Sequence, residues 1–324
     1  MTPRRILVVR FSSLGDLILT EPFVRELRQR YPEATIGYVT KQIFSEIPAD
    51  WPFDLELFKL SAESTLNVLK KQLQDFKPDI TYDLHASLRS RWLTKRLPGK
   101  IRRQQKSYLQ RWMLLHTRYR FSLPFVTQRY LSLLRDNPPV VAPAWYHYTE
   151  QEQTGEPTLA LVPGAGKFTK SWPTDYWEQL VAQLLAVGWR LELFGGVREQ
   201  QFAAKLKRLG DKSTIENYCG SLTLAETASR LRAAKLVVTG DTGLLHLATA
   251  VKSPVLLLAG SSTSELGFIP PYPGVTILER EELRCRPCSH IGRDSCPKKH
   301  FACMRELTPD MVLATINEHV NLAE

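Results

Sequence analysis

Ile6-Leu7-Val8-Val9-Arg10-Phe11-Ser12-Ser13-Leu14-Gly15-Asp16 opens the regular pattern of this chain. Leu236-Val237-Val238-Thr239-Gly240-Asp241-Thr242-Gly243 repeats its logic in the second half. In each stretch a short apolar run, the mark of a strand buried on both faces, leads through a glycine–aspartate turn into a helical pattern. In an open α/β sheet such a turn lies at the carboxyl ends of the strands, where these sheets bind ligands. Two such turns predict an α/β chain of two Rossmann-like βαβ domains facing across a central cleft, with a carboxylate on each lip.

Outward from these turns, strand and helix alternate as a mostly parallel sheet requires. Apolar runs at 6–9, 35–39, 55–58 and 79–84 read as strands of a first half, and those at 159–162, 190–194, 236–239 and 255–258 as strands of a second. Helical periodicity covers 16–30, 66–76, 87–97 and 107–116. It returns at 173–187, 198–209, 224–234, 243–250 and 309–319, the last with Thr308 as N-cap and Pro309 at its first position. The rhythm stops between Asn137 and Pro157, a polar stretch punctuated by prolines, which predicts a linker. The domains expected are therefore 1–150 and 151–324, the second carrying a cysteine-rich segment, 285–303, and a C-terminal helix.

The chain has 324 residues, 43% hydrophobic and 23% charged, which suits two soluble domains. The apolar stretch after Met1-Thr2-Pro3-Arg4-Arg5 is too short for a signal peptide, and no run is long enough to span a membrane. A cytoplasmic protein is the expectation. Its formal net charge of +10 is unevenly placed: residues 84–135 hold thirteen Lys or Arg and no Asp or Glu, so the remainder is net −3. A solvated helical face normally mixes signs; an unrelieved basic stretch with Trp92, Tyr108, Trp112, Tyr119 and Phe121 interleaved points to a polyanion, either phosphorylated lipid at a membrane or nucleic acid.

Chemistry-bearing residues gather after the strands. Ser12, Ser13, Gly15 and Asp16 follow the first; Gly15 lets the backbone approach a ligand, and Asp16 suits either a reactive carboxylate or a helix N-cap. Pro163-Gly164-Ala165-Gly166-Lys167-Phe168-Thr169-Lys170-Ser171-Trp172-Pro173 lacks P-loop spacing, yet its lysines, hydroxyls and helix start suit a phosphate. In the Gly240 turn, the N–H groups of Thr242, Gly243 and Leu244 would meet a diphosphate at the positive end of a helix and stabilise it as a leaving group. His246 lies one turn further in, where a packed structural histidine is equally compatible. Gly195-Gly196 is a turn on the same edge. Cys285, Cys288, Cys296 and Cys303 have a spacing open to structural zinc, buried thiols or a labile disulfide.

Taken in order, these segments resemble glycosyltransferase family 9, the bacterial heptosyltransferases of the lipopolysaccharide inner core. The resemblance rests on Arg10 to Asp16 with Pro22, on Pro163-Gly164-Ala165 running to Lys170-Ser171-Trp172-Pro173, and on Gly240-Asp241-Thr242-Gly243-Leu244-x-His246. The Cys-x2-Cys to Cys-Met tail ending Leu307-Thr308-Pro309 completes it. It implies a GT-B architecture and inverting transfer of heptose from ADP-L-glycero-D-manno-heptose, without a catalytic metal or other cofactor. It further implies Asp16 as general base, Lys170 with Thr169 on the diphosphate, and Arg10 orienting Asp16 or a donor phosphate. Asp241 would hold donor hydroxyls, with Gly195, Thr242, Gly243, Leu244 and His246 completing the donor site.

The acceptor implied is anionic, lipid A–Kdo or a heptosylated core, bound through Ser13, His85, Arg89 and Arg91. Region 84–135 would then meet the cytoplasmic face of the inner membrane rather than nucleic acid. Two competing readings are a nucleic-acid-binding protein with a zinc-stabilised tail and a nucleotide-sugar epimerase of the same architecture. The first leaves both Gly-Asp turns idle; the second needs no basic acceptor half.

Overall fold

The computed structural model describes residues 2–117, 121–147, 157–211 and 213–321. The chain divides into two compact units, 1–108 with 124–147, and 109–123 with 148–324. Tyr119 and residues 148–156 of the expected linker lie outside the described residues.

The first unit runs β1 (Arg5–Val9), α1 (Leu14–Ile18), α2 (Glu21–Arg30), β2 (Thr35–Lys41), α3 (Glu46–Ala49), β3 (Leu55–Leu60), α4 (Leu66–Phe76), β4 (Ile80–Asp83), α5 (Leu88–Thr94) and β5 (Lys100–Arg103). Helix α6 (Tyr108–His116) then leads into the second unit, and α7 (Val126–Leu131) belongs to the first. All strand pairs are parallel, in the order β3-β2-β1-β4-β5. Ile6, Leu7, Val8 and Val9 are fully buried, as expected of a central parallel strand covered on both faces.

The second unit continues β6 (Thr158–Val162), α8 (Thr174–Ala186), β7 (Arg190–Leu193), α9 (Gln200–Lys207), β8 (Ile215–Asn217), α10 (Leu224–Ala233), β9 (Leu236–Thr239), α11 (Gly243–Ala250), β10 (Val255–Ala259) and β11 (Val275–Glu279). Helices α12 (Ala302–Arg305) and α13 (Pro309–Asn321) follow. Its sheet is also parallel, in the order β11-β10-β9-β6-β7-β8. Its core joins Leu159, Leu161, Trp177, Leu180 and Leu184 to Leu256, Leu258, Met304, Val312 and Ile316. No helix among the described residues is long and apolar enough to cross a membrane.

Two expectations are corrected. The single helix expected over 16–30 is two helices, because Pro22 has no N–H to continue the first and fits only the opening turn of a second. Thr20 turns its hydroxyl back onto the Leu17 carbonyl at 2.7 Å at the break. The first part of the expected linker is pinned to the first unit: Ala144 N–H donates to Glu21, and Tyr146 and His147 N–H groups donate to Asp50. Trp145 is buried there.

Each sheet reverses its strand order once, and that determines where ligands fit. In the first unit β1 lies between β2 and β4; in the second β6 lies between β7 and β9. The loops leaving β1 and β4, and those leaving β6 and β9, therefore border the two switch points at which such sheets open a crevice.

Candidate active site

At the first switch point Arg10 leaves the end of β1 almost fully buried. Its guanidinium donates to the Ser12 and Leu84 carbonyls, each at 2.8 Å, and pairs with Asp16 Oδ2 at 2.6 Å. Burial opposes the Arg10 charge, but the Asp16 carboxylate outweighs it and holds the guanidinium pKa above its ordinary value. Ser13 is the N-cap of α1. Asp16, at the third helical position, accepts from Ser13 Oγ at 2.9 Å and from Ser13 N–H at 3.3 Å. The two readings of Asp16 thus coexist: it closes the helix start, and its side chain is still 28% exposed.

His85 follows β4 by two residues, donating its N–H to the Val9 carbonyl at 3.1 Å, with its ring edge-on to Phe11 at 5.1 Å. Burial, then the charges of Arg10 and Lys106, pull its pKa down to about 4, so the ring is neutral near pH 7. Its Nδ1 is buried without a hydrogen-bond partner among the described residues. Arg89 and Arg91 are exposed on α5, whose start is tied to β4 by Ser90 Oγ donating to Asp83 at 3.0 Å.

At the second switch point a 3-10 turn over Phe168–Lys170 brings Lys170 Nζ to 2.6 Å from Asp241 Oδ2, on the loop after β9. Ser262 Oγ donates to the same oxygen at 2.6 Å. Burial alone would raise the Asp241 pKa; the Lys170 ammonium, the Ser262 hydroxyl and nearby His246 outweigh it, and the carboxyl lies below its ordinary range. Gly240 is required here, since a Cβ would come within 2.9 Å of the Lys170 carbonyl. Thr242 is the N-cap of α11, and its hydroxyl makes no capping bond. The first N–H groups of that helix, Gly243 and Leu244 among them, have no intrahelical acceptor and offer an anion site beside the Lys170–Asp241 pair.

Thr169 is buried and bound into the frame: its hydroxyl accepts Arg293 N–H at 2.8 Å, and its carbonyl accepts Ser261 N–H at 3.2 Å. Gly195 closes a turn against Cys219 and Glu199, where a Cβ would come within 2.9 Å of Glu199. His246 is buried in α11.

Ser262 and Arg286 were missed by sequence reasoning. Ser262 had a signal, a hydroxyl run Ser261-Ser262-Thr263 directly after a central strand. Arg286 had none. It is buried, pairs with Glu279 at 2.6 Å, and donates to the carbonyls of Ala259, Gly260 and Ser262. The cysteine-rich segment thereby braces the loop that holds Asp241. Its thiols are free, burial pushes Cys303 up to about 12, and Cys285 Sγ lies 3.9 Å from His300. No group of three or more His, Cys, Asp or Glu among the described residues is placed to hold a metal ion.

The sequence model of glycosyltransferase family 9 (heptosyltransferase) matches residues 67–299. The chain belongs to this family. It is 27% identical to lipopolysaccharide heptosyltransferase 1 of Pseudomonas aeruginosa, over 88% of this chain and 86% of the relative. To lipopolysaccharide heptosyltransferase 2 of Escherichia coli it is 23% identical, over 97% of each chain. The solved structure of E. coli ADP-heptose lps heptosyltransferase II shares its fold, with a TM-score of 0.78 over 98% of this chain and 99% of the other at 20% identity. As a family 9 heptosyltransferase, the protein is a glycosyltransferase.

Proposed function

We propose that this heptosyltransferase moves L-glycero-D-manno-heptose from its ADP donor to the lipopolysaccharide inner core with inversion, and that Asp16 is the general base. The observation that carries this reading is the Lys170–Asp241–Ser262 cluster beside the uncapped start of α11. A cation and directed N–H groups next to a charged carboxylate match the two halves of a sugar diphosphate, the phosphates and the sugar hydroxyls. Relatives named for lipopolysaccharide heptose transfer, over most of their lengths, support the donor and acceptor classes.

In the reaction the acceptor oxygen forms a bond to the anomeric carbon while the bond from that carbon to the donor phosphate oxygen breaks. The bonding pair leaves with ADP, and the acceptor proton passes to the Asp16 carboxylate. Arg10, which also donates to the Ser12 and Leu84 carbonyls, aims the Asp16 carboxylate. Lys170 and the α11 N–H groups offset the charge growing on the diphosphate, which needs no change in their own protonation. Thr169, bonded to Arg293 and Ser261, fixes the turn that carries Lys170. The acceptor's anionic groups fall to Ser13, Arg89 and Arg91 in the first unit, with neutral His85 lining the edge.

The test is transfer from ADP-heptose to a deacylated core acceptor, with anomeric configuration read by NMR. A retained configuration, or no turnover with any heptosyl nucleotide, overturns the proposal.

A further inference from the structure

Behind the turn that carries Lys170, the second unit encloses a hollow of about 360 Å³. The end of α6 forms one wall through Leu114 and Leu115, and the cysteine-rich segment forms another. Thr169 and Ser261 line it as well, the N–H of Ser261 donating to the Thr169 carbonyl at 3.2 Å. Their chain neighbours Lys170 and Ser262 meet at Asp241 instead. Adjacent residues, 169–170 and 261–262, thus build the partition between the hollow and the Lys170–Asp241–Ser262 cluster.

Three features call for an occupant that brings oxygen atoms and negative charge. The Ser261 hydroxyl is fully buried and has no hydrogen-bond partner among the described residues, a state that buried hydroxyls ordinarily avoid. His300 Nδ1 accepts the Ala302 N–H at 2.9 Å, so Nε2 carries the hydrogen of the neutral ring. The group it meets is the Cys285 sulfur at 3.9 Å, a weak acceptor. Arg284 and Lys298 stand exposed at the rim beside Arg293, whose Nε is held by the Cys288 carbonyl at 3.0 Å. Among the described residues no Asp or Glu lines the hollow. Leu114, Leu115 and Phe301 add an apolar wall, and neutral thiols pack as small hydrophobes.

We propose that this hollow is a second ligand site, for a small molecule with a phosphate or carboxylate head on an apolar body. The head accepts hydrogens from Arg284, Lys298, His300 Nε2 and the Ser261 hydroxyl, while the body lies against Leu114, Leu115 and Phe301. The volume is at the lower end of the range for small-molecule pockets, about 300–1,000 Å³. The N–H groups of Ser261 and Arg293 hold Thr169, so a ligand that shifts either one also shifts Lys170. The site is thereby coupled to donor affinity. That coupling rests on the donor reading above; binding itself does not.

The experiment is calorimetric titration of the full chain with phenyl phosphate and with benzoate, and with phenol and inorganic phosphate as the separate halves. The aromatic anion of the right head is expected to bind at about 1 mM or tighter, and each half at least about tenfold more weakly. The tighter of the two anions assigns the head. Its binding should slow alkylation of Cys285, Cys288 and Cys296 by iodoacetamide, read peptide by peptide in a mass spectrometer. Ser261→Ala should weaken binding about threefold and leave the unfolding midpoint unchanged or raised, because the hydroxyl removed has no partner to lose. The double variant Arg284→Ala, Lys298→Ala should weaken it about tenfold. Lys170→Ala should leave it unchanged, and the saturating anion should move the ADP dissociation constant about fivefold.

Absence of binding overturns the proposal, as does binding that leaves alkylation unslowed. So does loss of binding in Lys170→Ala together with competition by ADP, which would put the anion in the donor site. Phenol binding as tightly as either anion would make the hollow a plain apolar cavity and overturn it too. An ADP dissociation constant unmoved at saturation overturns the coupling. If the chain binds no ADP while the anion still protects the three thiols, the donor reading fails and the second site stands.

Discussion

The two Gly-Asp turns look alike in sequence and are built in opposite ways. Asp16 is supported from its own loop: Arg10 and Ser13 hold it, and the carboxylate stays 28% exposed. Asp241 is supported from elsewhere in its unit, by Lys170 on the loop after β6 and Ser262 on the loop after β10, and only 10% of its side chain is exposed. Arg10 is a rigid fork with every arm occupied, so Asp16 is held in place. Lys170 is a compact ammonium on a flexible stem, which can exchange part of its contact with Asp241 for a phosphate. In the proposed reaction the first carboxylate receives a proton at a fixed place, and the second yields its cation to an incoming anion.

The difference can be broken most sharply at Asp16. Asp16→Asn keeps the shape but cannot take a proton, so turnover should fall by about a thousandfold while ADP affinity stays within a few-fold. Near-normal turnover in initial-rate assays would remove Asp16 as the base. Next is Arg10→Met, which strips a buried cation from its partner and frees two carbonyl acceptors. A loss of about 3 kcal/mol in denaturant unfolding is expected, toward the lower end for such pairs because Asp16 stays partly hydrated. A loss well below 1 kcal/mol would show that the pair does not hold the loop.

On the other side, Lys170→Ala should raise the donor KM and the ADP dissociation constant by about tenfold or more, measured by kinetics and calorimetry. Lys167 on the same loop pairs, among the described residues, with a largely exposed Asp294, so Lys167→Ala should change neither by more than about twofold. Equal effects would erase the distinction drawn for Lys170. Ser262→Ala, which removes one hydrogen bond from Asp241, should act in the same direction as Lys170→Ala and more weakly.

The smallest effect concerns His85. Its folded pKa, about 4, lies below the ordinary 6.5, so between those values the unfolded chain binds the proton first. Stability from this group is complete above pH 6.5 and is lost as pH falls toward 4. Replacing His85 by Phe should flatten the pH dependence of the unfolding midpoint in that window. An unchanged slope would show that the histidine is hydrated.

The strands legible in the sequence are mostly those buried on both faces. Ile6–Val9, Leu236–Thr239 and the run ending β10 are continuous apolar segments, because central parallel strands have no solvent face. The strands missed are β5, β8 and β11, three of the four sheet edges. Lys100-Ile101-Arg102-Arg103 carries almost no apolar signal, since at an edge half the side chains meet water. At the site, Asp16 and Asp241 were legible from local turn chemistry. Arg286 was not, because its work is done on carbonyls of a distant loop.

By itself the sequence determined the local events: which apolar runs become central strands, that a glycine–aspartate turn ends one such strand in each half, and that one stretch is purely basic. These follow from steric and burial rules acting over a few residues. Tertiary structure alone decided the partnerships. Lys170 meets Asp241 because β6 and β9 are neighbours across the switch point, and Leu114 draws part of the basic stretch into the second unit through Leu266. Strand order and long-range packing are properties of the whole core, balanced over many weak contacts, and no short window of residues contains them.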